Sequence, residues 1–328
     1  MSLRGTVGPC QHGRNQTATK TANTMMNVEL PAHTPEASRR HRGGRLVIAL
    51  ALLGQIVSLG CATIQRTGPQ RQDRGRAFSA TVSLHGRRFD LHLSVPVHPV
   101  APDILVLYAS GDGGWFGAAV DMFAQVGREG YYAAGFSSRA FLNLERSTGE
   151  LINGGQIADE YRQIIAQART TLGLATSTRT VLTGWSRGAA FAVLVGADRN
   201  LQPELAGVIA IGLPDEEELR VRSDSDDTRI EGEVAKTTHR MRYDTYRLIP
   251  TLEAMPCAVI QSTRDDYLPA GEARRLFGPD TAVRRLYAVD ARNHRFSGGN
   301  AQFGVALGDA LQWVVAHSHS MIARDVRP

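Results

Sequence analysis

One serine lies in a setting that favours nucleophilic chemistry. Residues 184–188 read Gly-Trp-Ser-Arg-Gly, so Ser186 has a glycine two positions before it and another two positions after it. A short strand-like run, Thr180–Thr183, precedes this motif, and small residues at helical spacing follow from Ala189. A strand, a sharp turn and a helix in this order lift a serine hydroxyl clear of a sheet, beside a helix N-terminus that stabilises negative charge. The motif therefore predicts a nucleophilic Ser186, although a plain glycine-rich turn would also have these residues.

A serine nucleophile needs a base to take its proton and an acid to orient that base, and here the expected chain order is serine, acid, histidine. Asp265 lies just beyond a predicted buried strand, Ala258–Gln261. His294 lies in the loop after the last predicted strand, Leu286–Val289. We expect Asp265 and His294 to be the acid and the base. Asp266 is the close rival to Asp265, because only one of the two can orient the histidine.

A glycine-rich loop with the sequence Ser-Gly-Asp-Gly-Gly-Trp occupies residues 110–115, directly after the apolar run Ile104–Tyr108. Attack on a carbonyl carbon places negative charge on its oxygen, which two backbone N–H donors can stabilise. We expect one donor from Arg187, the residue after the nucleophile, and the other from Asp112 or Gly111. Phosphate binding is the alternative for such a loop, but the Lys-Ser/Thr ending of a P-loop is missing.

Strand-like and helical segments alternate along residues 78–328. The expected strands are Phe78–Leu84, Phe89–Val95, Ile104–Tyr108, Tyr131–Phe136, Thr180–Thr183, Val208–Ile211, Ala258–Gln261 and Leu286–Val289, and the expected helices are Val120–Arg128, Ile157–Leu172, Ala189–Ala197 and Ala301–Ala316. This order predicts an α/β protein with a mostly parallel central sheet and helices on both faces. The first two strands flank a His-Gly turn and should form an antiparallel hairpin at one edge. With the serine motif, the pattern is typical of the α/β-hydrolase fold.

Residues 214–247 interrupt this alternation, because they are charged and carry few apolar side chains. We expect a lid or mobile insertion there. Acidic residues are frequent in it, namely Asp215, Glu216, Glu217, Glu218, Asp224, Asp226 and Asp227. They fit a cationic substrate group, but such a run is also typical of a solvated surface.

The first 60 residues have the pattern of an export signal. A basic cluster at 39–45 is followed by an apolar run, Leu46–Leu59, and by small residues around Cys61. The run is short for a membrane anchor, which is the alternative. Cys61 resembles the lipidated cysteine of bacterial lipoproteins, and an ordinary cleaved signal is the other interpretation. Residues 61–77 are polar and are expected to form a tether. Residues 1–24 are expected to lie upstream of the true start, near the Met pair at 25–26.

The basic pI of 9.4 does not indicate nucleic-acid binding. The chain has 37 basic and 32 acidic residues; residues 1–60 hold seven and two of these, so the remainder has 30 of each. A neutral domain lacks the basic footprint of a nucleic-acid-binding protein. The three cysteines, Cys10, Cys61 and Cys257, have no metal-site or disulfide spacing, and Cys257 should be a buried thiol. We expect no cofactor and no metal.

The loop at 110–115, together with Gly-x-Ser-x-Gly-Ala at 184–189, resembles the VirJ/AcvB type of bacterial virulence protein over roughly residues 100–300. The resemblance implies an exported α/β-hydrolase that uses Ser186, His294 and the Asp112 loop. It also implies a role in hydrolysing aminoacylated phosphatidylglycerol or, in an older view of that family, in assisting periplasmic secretion. The chain departs from the family at 136–142, where a Tyr-Phe-Trp-like run is more usual, and at Arg187, where a hydrophobic residue is common.

These observations predict an exported serine hydrolase that cleaves a carboxylic ester, with a small-molecule or lipid substrate such as a lysyl-phosphatidylglycerol-like ester. The expected location is the periplasm, as a membrane-anchored lipoprotein of a bacterial cell envelope. The alternative is a non-catalytic periplasmic binding or secretion-helper protein on the same fold. The sequence leaves the oligomeric state open.

Overall fold

A computed structural model of the protein describes residues 75–84, 86–146, 154–222, 229–230, 233–234 and 238–325. Its strands are β1 Arg76–Leu84, β2 Arg87–Val95, β3 Ile104–Ala109, β4 Tyr132–Phe136, β5 Arg179–Trp185, β6 Leu205–Ile211, β7 Glu216–Arg222, β8 Arg229–Ile230, β9 Glu233–Val234, β10 Thr238–Asp244, β11 Cys257–Ser262 and β12 Arg284–Val289. Its α-helices are α1 Ala118–Arg128, α2 Ser138–Arg146, α3 Gly154–Leu172, α4 Arg187–Gly196, α5 Thr245–Leu248, α6 Ala270–Phe277 and α7 Asn300–Asp325.

Eight of the strands form one sheet in the spatial order β1-β2-β4-β3-β5-β6-β11-β12. From β4 to β12 every neighbouring pair is parallel, whereas β1 and β2 pair antiparallel and β2 is antiparallel to β4. The predicted mostly parallel sheet with an antiparallel hairpin at its edge is therefore confirmed. Since parallel strands end at the same edge, the loops that follow β3, β4, β5, β6, β11 and β12 gather there.

Helices cover both faces of the sheet, which explains why its inner strands are apolar throughout. In β3, Leu105 and Leu107 pack in the core beneath α3 and α4, while Ile104 and Val106 pack beneath α1 and α7. A strand buried on both faces has no reason to alternate polar and apolar residues. Continuous runs of this kind, rather than period-two patterns, therefore mark the sheet interior.

The segment at 214–247 has regular structure in its described part. β7 and β10 pair antiparallel over seven residues each, from Glu216 opposite Asp244 to Arg222 opposite Thr238. Thr245 closes the base of this hairpin: its N–H donates to the carbonyl of Asp215 at 3.0 Å, and its hydroxyl donates to the carbonyl of Pro214. The described part is therefore not a structureless loop, and its role as a lid stays a prediction.

The structure adds helices where none was expected, most clearly α2 after β4 and α6 after Pro269. α7 runs to Asp325, beyond the predicted end at Ala316. No helix in the described part of the chain combines the length and the apolar character needed to cross a membrane. The predicted signal and tether, including Cys61, lie outside the described residues apart from the last few tether positions.

Candidate active site

Ser186 lies in a strained turn between β5 and α4. Its φ and ψ are 57° and −119°, a region that costs a non-glycine residue about 1–3 kcal/mol and is concentrated at functional sites. Its backbone N–H donates to the carbonyl of Ile211 at 2.9 Å, and its carbonyl accepts from the N–H groups of Ala189 and Ala190. The main chain thus holds the turn from β6 on one side and from α4 on the other.

The two glycines of the motif are required by contacts between backbones. A Cβ atom on Gly184 would lie 2.4 Å from the carbonyl of Gly188, and one on Gly188 would lie 2.1 Å from the carbonyl oxygen of Ala109. Neither neighbour is a flexible side chain that could move aside. The first turn of α4 therefore rests directly on the end of β3, which brings Ser186 beside the loop that follows β3.

His294 and Asp265 meet at the same edge of the sheet. Nδ1 of His294 lies 2.7 Å from Oδ2 of Asp265, and both residues are buried, at 7% and 4% exposure. The other oxygen of Asp265 accepts from the backbone N–H groups of Tyr267, at 2.9 Å, and Leu268, at 3.3 Å. The carboxylate is thereby oriented from its own turn, and Oδ2, which faces the imidazole, also accepts from the side-chain amide of Gln261 at 3.3 Å.

Asp266 makes a different contact. Its Oδ2 accepts from the backbone N–H of His294 at 3.5 Å, at the limit of hydrogen bonding, and not from the imidazole ring. The structure therefore brings Asp265, and not its rival, to the ring of His294. The two neighbouring carboxylates hold the same histidine at different atoms.

The second ring nitrogen of His294 remains available. Nε2 is buried and has no hydrogen-bond partner among the described residues. The indole of Trp185, the residue before Ser186, donates to the carbonyl of His294 at 3.1 Å, and Tyr267 packs edge-on against the imidazole. A buried nitrogen of this kind costs free energy unless it serves a ligand or a reaction.

Gly212 explains how closely His294 approaches the turn. A Cβ atom on Gly212 would lie 2.9 Å from Cε1 of His294, and the φ of this residue is +57°. Gly212 directly follows Ile211, whose carbonyl receives the N–H of Ser186. The glycine thus lets the imidazole approach the chain that holds the serine, a contact that no motif in the sequence indicated.

The loop after β3 borders Ser186 on its other side. The Cβ position of Gly111 lies 3.4 Å from Cβ of Ser186 and 3.2 Å from the Trp185 ring. The backbone N–H groups of Gly111 and Asp112 donate to no acceptor in the described part of the chain. Arg187 is the first residue of α4, where the helix itself offers no acceptor for its N–H. Gly111 and Arg187 thus border Ser186, and the role of these N–H groups as donors stays a prediction.

The Arg187 side chain contacts the hairpin. Its Nε lies 2.7 Å from Oε1 of Glu217, a residue of β7 with only 8% exposure. Burial raises the pKa of Glu217, and the charge and hydrogen bond of Arg187 oppose this rise. The nearby carboxylates of Asp112 and Glu218 raise the pKa further. Glu217 is therefore not part of a solvated charge run, and sequence reasoning missed its contact with the residue after the nucleophile.

Residues that bind metals do not cluster in the described part of the chain, where no three His, Cys, Asp or Glu side chains are grouped to hold an ion. Cys257 is fully buried, as expected, and burial raises the pKa of its thiol to about 12. This cysteine is therefore a neutral core residue. The expectation that the protein uses no cofactor stays a prediction.

No family model and no curated protein matches the chain. Among solved structures, Est1E from Butyrivibrio proteoclasticus is similar with a TM-score of 0.51 at 11% identity, covering 73% of this chain and 99% of that one. An esterase domain from a Rhodothermus marinus protein has a TM-score of 0.48 at 19% identity, covering 71% and 97%. An alpha-beta serine hydrolase homologue from Coxiella burnetii has a TM-score of 0.48 at 12% identity, also covering 71% and 97%. At 11% identity the likeness to Est1E concerns the fold alone, and with the sheet order and the strand–turn–helix at Ser186 it leads to one conclusion: this chain has the α/β-hydrolase fold.

Proposed function

We propose that the protein is a serine hydrolase that cleaves carboxylic esters, with Ser186 as nucleophile, His294 as base and Asp265 as the orienting acid. The observation that carries the proposal is the buried Asp265–His294 pair, whose Nε2 has no partner among the described residues and whose ring centroid lies 5.4 Å from that of Trp185, the residue before the strained Ser186. A structural histidine would have both nitrogens satisfied or solvated. In the proposed triad Nε2 accepts from Oγ of Ser186, a hydrogen bond that is often long or poorly aligned in a free enzyme and tightens when substrate binds.

In the proposed reaction, Oγ of Ser186 attacks the ester carbonyl carbon while Nε2 of His294 takes the hydroxyl proton. The carbonyl π electrons move to oxygen, and the backbone N–H groups of Arg187 and of Asp112 or Gly111 stabilise that negative charge. The intermediate collapses, the C–O bond to the alcohol breaks, and His294 returns the proton to the departing oxygen. Water then attacks the acyl-enzyme in the same way, releasing the acid. Asp265 stays ionised and stabilises the imidazolium that forms twice per turnover.

The proposed substrate is an ester that carries a cationic amine, such as an aminoacyl-phospholipid of the lysyl-phosphatidylglycerol type. The resemblance of residues 110–115 and 184–189 to the VirJ/AcvB motifs supports this choice. The charges near the serine support it independently, because Asp112 is exposed and lies close enough to Glu217 to raise the pKa of that carboxyl. An ammonium group bound there would be attracted by these carboxylates.

The substrate proposal can be tested by changing the substrate alone. We expect a higher kcat/KM for lysyl-phosphatidylglycerol in mixed micelles than for the same lipid with both amines acetylated, by about two- to fivefold for one exposed ion pair. The acetylated lipid keeps the ester bond and the acyl chains, so the two lipids differ only at the amines, each of which loses its charge and gains an acetyl group. Equal rates for both lipids would contradict recognition of the amine while leaving ester hydrolysis intact.

Catalysis itself is tested with p-nitrophenyl acetate and p-nitrophenyl butyrate. Ser186→Ala removes one hydroxyl from the turn, and we expect kcat to fall by about 10⁴- to 10⁶-fold with little change in melting temperature. Activity above a tenth of wild type in Ser186→Ala would contradict the serine mechanism. A folded wild-type protein that hydrolyses neither these esters nor lysyl-phosphatidylglycerol would favour the non-catalytic binding or secretion-helper role.

We further propose that the protein is exported and held at a membrane by lipid on Cys61. The domain beyond residue 60 has equal numbers of acidic and basic residues, so electrostatic attraction to an anionic bilayer is not available to it. Acyl chains would supply the hold instead, at about 0.8 kcal/mol per buried CH₂. Cys61→Ser should therefore move an active enzyme from the membrane fraction to the soluble fraction. An unmodified wild-type N-terminus by mass spectrometry, with all the protein soluble, would contradict the anchor.

A further inference from the structure

A buried serine outside the proposed triad contacts the glycine-rich loop. Ser138 is the first residue of α2, is fully buried, and has its hydroxyl oxygen 2.7 Å from the carbonyl oxygen of Ser110 and 2.9 Å from that of Gly111. Its backbone N–H donates to Oγ of Ser110 at 3.2 Å. These contacts join residues 27 and 28 positions apart in sequence, because β3 and β4 are parallel neighbours that end side by side.

The contacts fix two peptide groups whose opposite sides face away from Ser138. No peptide bond in the described part of the chain is cis, and in a trans peptide the N–H points opposite to the C=O. With the carbonyls of Ser110 and Gly111 turned towards Ser138, the N–H groups of Gly111 and Asp112 point away from it. Those N–H groups have no acceptor among the described residues. Gly111 also borders Ser186, with its Cβ position 3.4 Å from that of the serine.

We propose that Ser138 is a positioning residue for the negative charge on the reacting ester oxygen. By holding the two carbonyls, its hydroxyl keeps the N–H groups of Gly111 and Asp112 aimed into the site before substrate arrives. A donor that is already oriented needs no reorganisation as charge develops on the oxygen. For this reason it increases the rate of the reaction. The inference rests on the proposed hydrolase function and adds a residue on which that function depends.

The neighbouring Ser137 provides a matched control. Its Oγ accepts from the backbone N–H of Ala140 at 3.1 Å, which is the contact of a helix cap, and its carbonyl accepts from Phe141. Ser137→Ala should therefore weaken α2 by the loss of a cap without releasing the loop carbonyls. Ser138→Ala should free the Ser110 carbonyl and weaken the hold on that of Gly111, which also accepts from the N–H of Gly114 at 3.1 Å. The two variants remove the same atom from adjacent residues.

The test measures kcat and KM of wild type, Ser138→Ala and Ser137→Ala with p-nitrophenyl butyrate, and the affinity of each for phenylboronic acid. The boronate forms a tetrahedral adduct that places an oxygen where the reacting ester oxygen would lie. We expect Ser138→Ala to lower kcat about 10- to 100-fold, less than the 10²–10³ typical of losing a donor outright. KM should stay within about threefold, boronate affinity should fall in parallel with kcat, and Ser137→Ala should keep both, since a lost cap costs stability and not donor alignment.

Several outcomes would overturn the inference. Unchanged kcat in a folded Ser138→Ala would do so while leaving Ser186 and the proposed function intact, and so would an equal loss of kcat in both serine variants. If Ser138→Ala does not fold, Ser138→Cys carries the test, because a thiol keeps a side chain at this buried position and donates only weakly to the two carbonyls. Full activity of that variant would contradict the inference. A wild type without esterase activity would overturn both the inference and the proposed function.

Discussion

The two sides of Ser186 are held by different kinds of contact. On one side the turn from β5 into α4 is held by main-chain contacts so close that only glycine fits at 184 and 188. On the other side the candidate base and acid are joined through one side-chain contact between residues 29 positions apart. The first side is fixed by the fold itself, whereas the second depends on atoms that can be removed without disturbing the backbone. Substitutions should therefore separate loss of structure from loss of chemistry.

The largest expected effect on kcat comes from the histidine of the Asp265–His294 contact. His294→Ala should lower kcat by about 10⁴- to 10⁶-fold, and the double variant with Ser186→Ala should be no worse than either single variant, because the triad acts as a unit. Chromogenic ester kinetics at substrate saturation provide the measurement. His317→Ala is the control, since that histidine lies on α7 and its Nδ1 contacts the carbonyl of Trp313. Losses that add up in the double variant would mean that His294 is not the base of Ser186.

The neighbouring aspartates should differ by several orders of magnitude. Asp265→Asn should lower kcat by about 10⁴-fold, because an amide favours the wrong tautomer of the histidine. Asp266→Asn should change kcat by less than about threefold, since its carboxylate reaches only the backbone N–H of His294, at 3.5 Å. Measuring both variants under the same conditions makes each the control of the other. A reversed order would show that Asp266 orients the imidazole in solution.

Substitutions in the turn that is held by main-chain contacts should lower the stability of the protein. Gly188→Ala would place a Cβ 2.1 Å from the carbonyl oxygen of Ala109, so we expect the free energy of unfolding to fall by about 3 kcal/mol or more. Gly271→Ala is the matched control, because that glycine lies in α6 with no atom within 4 Å of its Cβ position. A helical alanine there should raise stability by up to about 1 kcal/mol. Urea denaturation followed by circular dichroism measures the free energy of unfolding of both variants. An unchanged value for Gly188→Ala would contradict the requirement for glycine at this position.

The smallest expected effect concerns Glu217, which contacts the turn from outside the sheet. Because burial raises the pKa of this carboxyl when the protein folds, its contribution to stability is full below the unfolded pKa and falls as pH rises through the folded pKa. Glu217→Gln removes this dependence. The stability of the variant relative to wild type should therefore improve as pH rises from about 4.5, the ordinary value for this group. Thermal melts of both proteins between pH 4 and pH 8 test this, and a melting temperature of Glu217→Gln that falls relative to that of wild type as pH rises would contradict it.

The same division explains how far the sequence alone could go. The turn at Ser186 was predictable from five consecutive residues, because the glycines record a backbone requirement. The sheet was predictable because apolar runs on buried strands are hard to mistake, whereas the β7–β10 hairpin carries few apolar residues and α2 spans only nine residues, and both were missed. Both Asp265 and Asp266 follow β11 and offer the same chemistry. Only the turn geometry, with Asp265 held by the N–H groups of Tyr267 and Leu268, distinguishes them.

Contacts between segments that are distant in the sequence could not be predicted from any local sequence pattern. The pair of Arg187 and Glu217 joins residues 30 positions apart, and in the sequence Glu217 is one of several neighbouring acids. The contact made by Ser138 is equally unpredictable from the sequence, because a serine at the start of a helix is normally explained by capping. Its neighbour Ser137 does cap α2, and only the structure shows that the Ser138 hydroxyl contacts another loop. The roles of such residues can be recognised only when the strand order shows which loops lie together.

An activated serine at position 186 can be detected by covalent labelling. A fluorophosphonate probe reacts with a serine whose hydroxyl proton is taken by a neighbouring base, and it needs no knowledge of the natural substrate. We expect one adduct per wild-type molecule, located by mass spectrometry on the tryptic peptide Thr180–Arg187, with no adduct in Ser186→Ala and labelling at least about 10²-fold slower in His294→Ala. An adduct on a different residue, no adduct on folded wild type, or labelling of His294→Ala at the wild-type rate would contradict it.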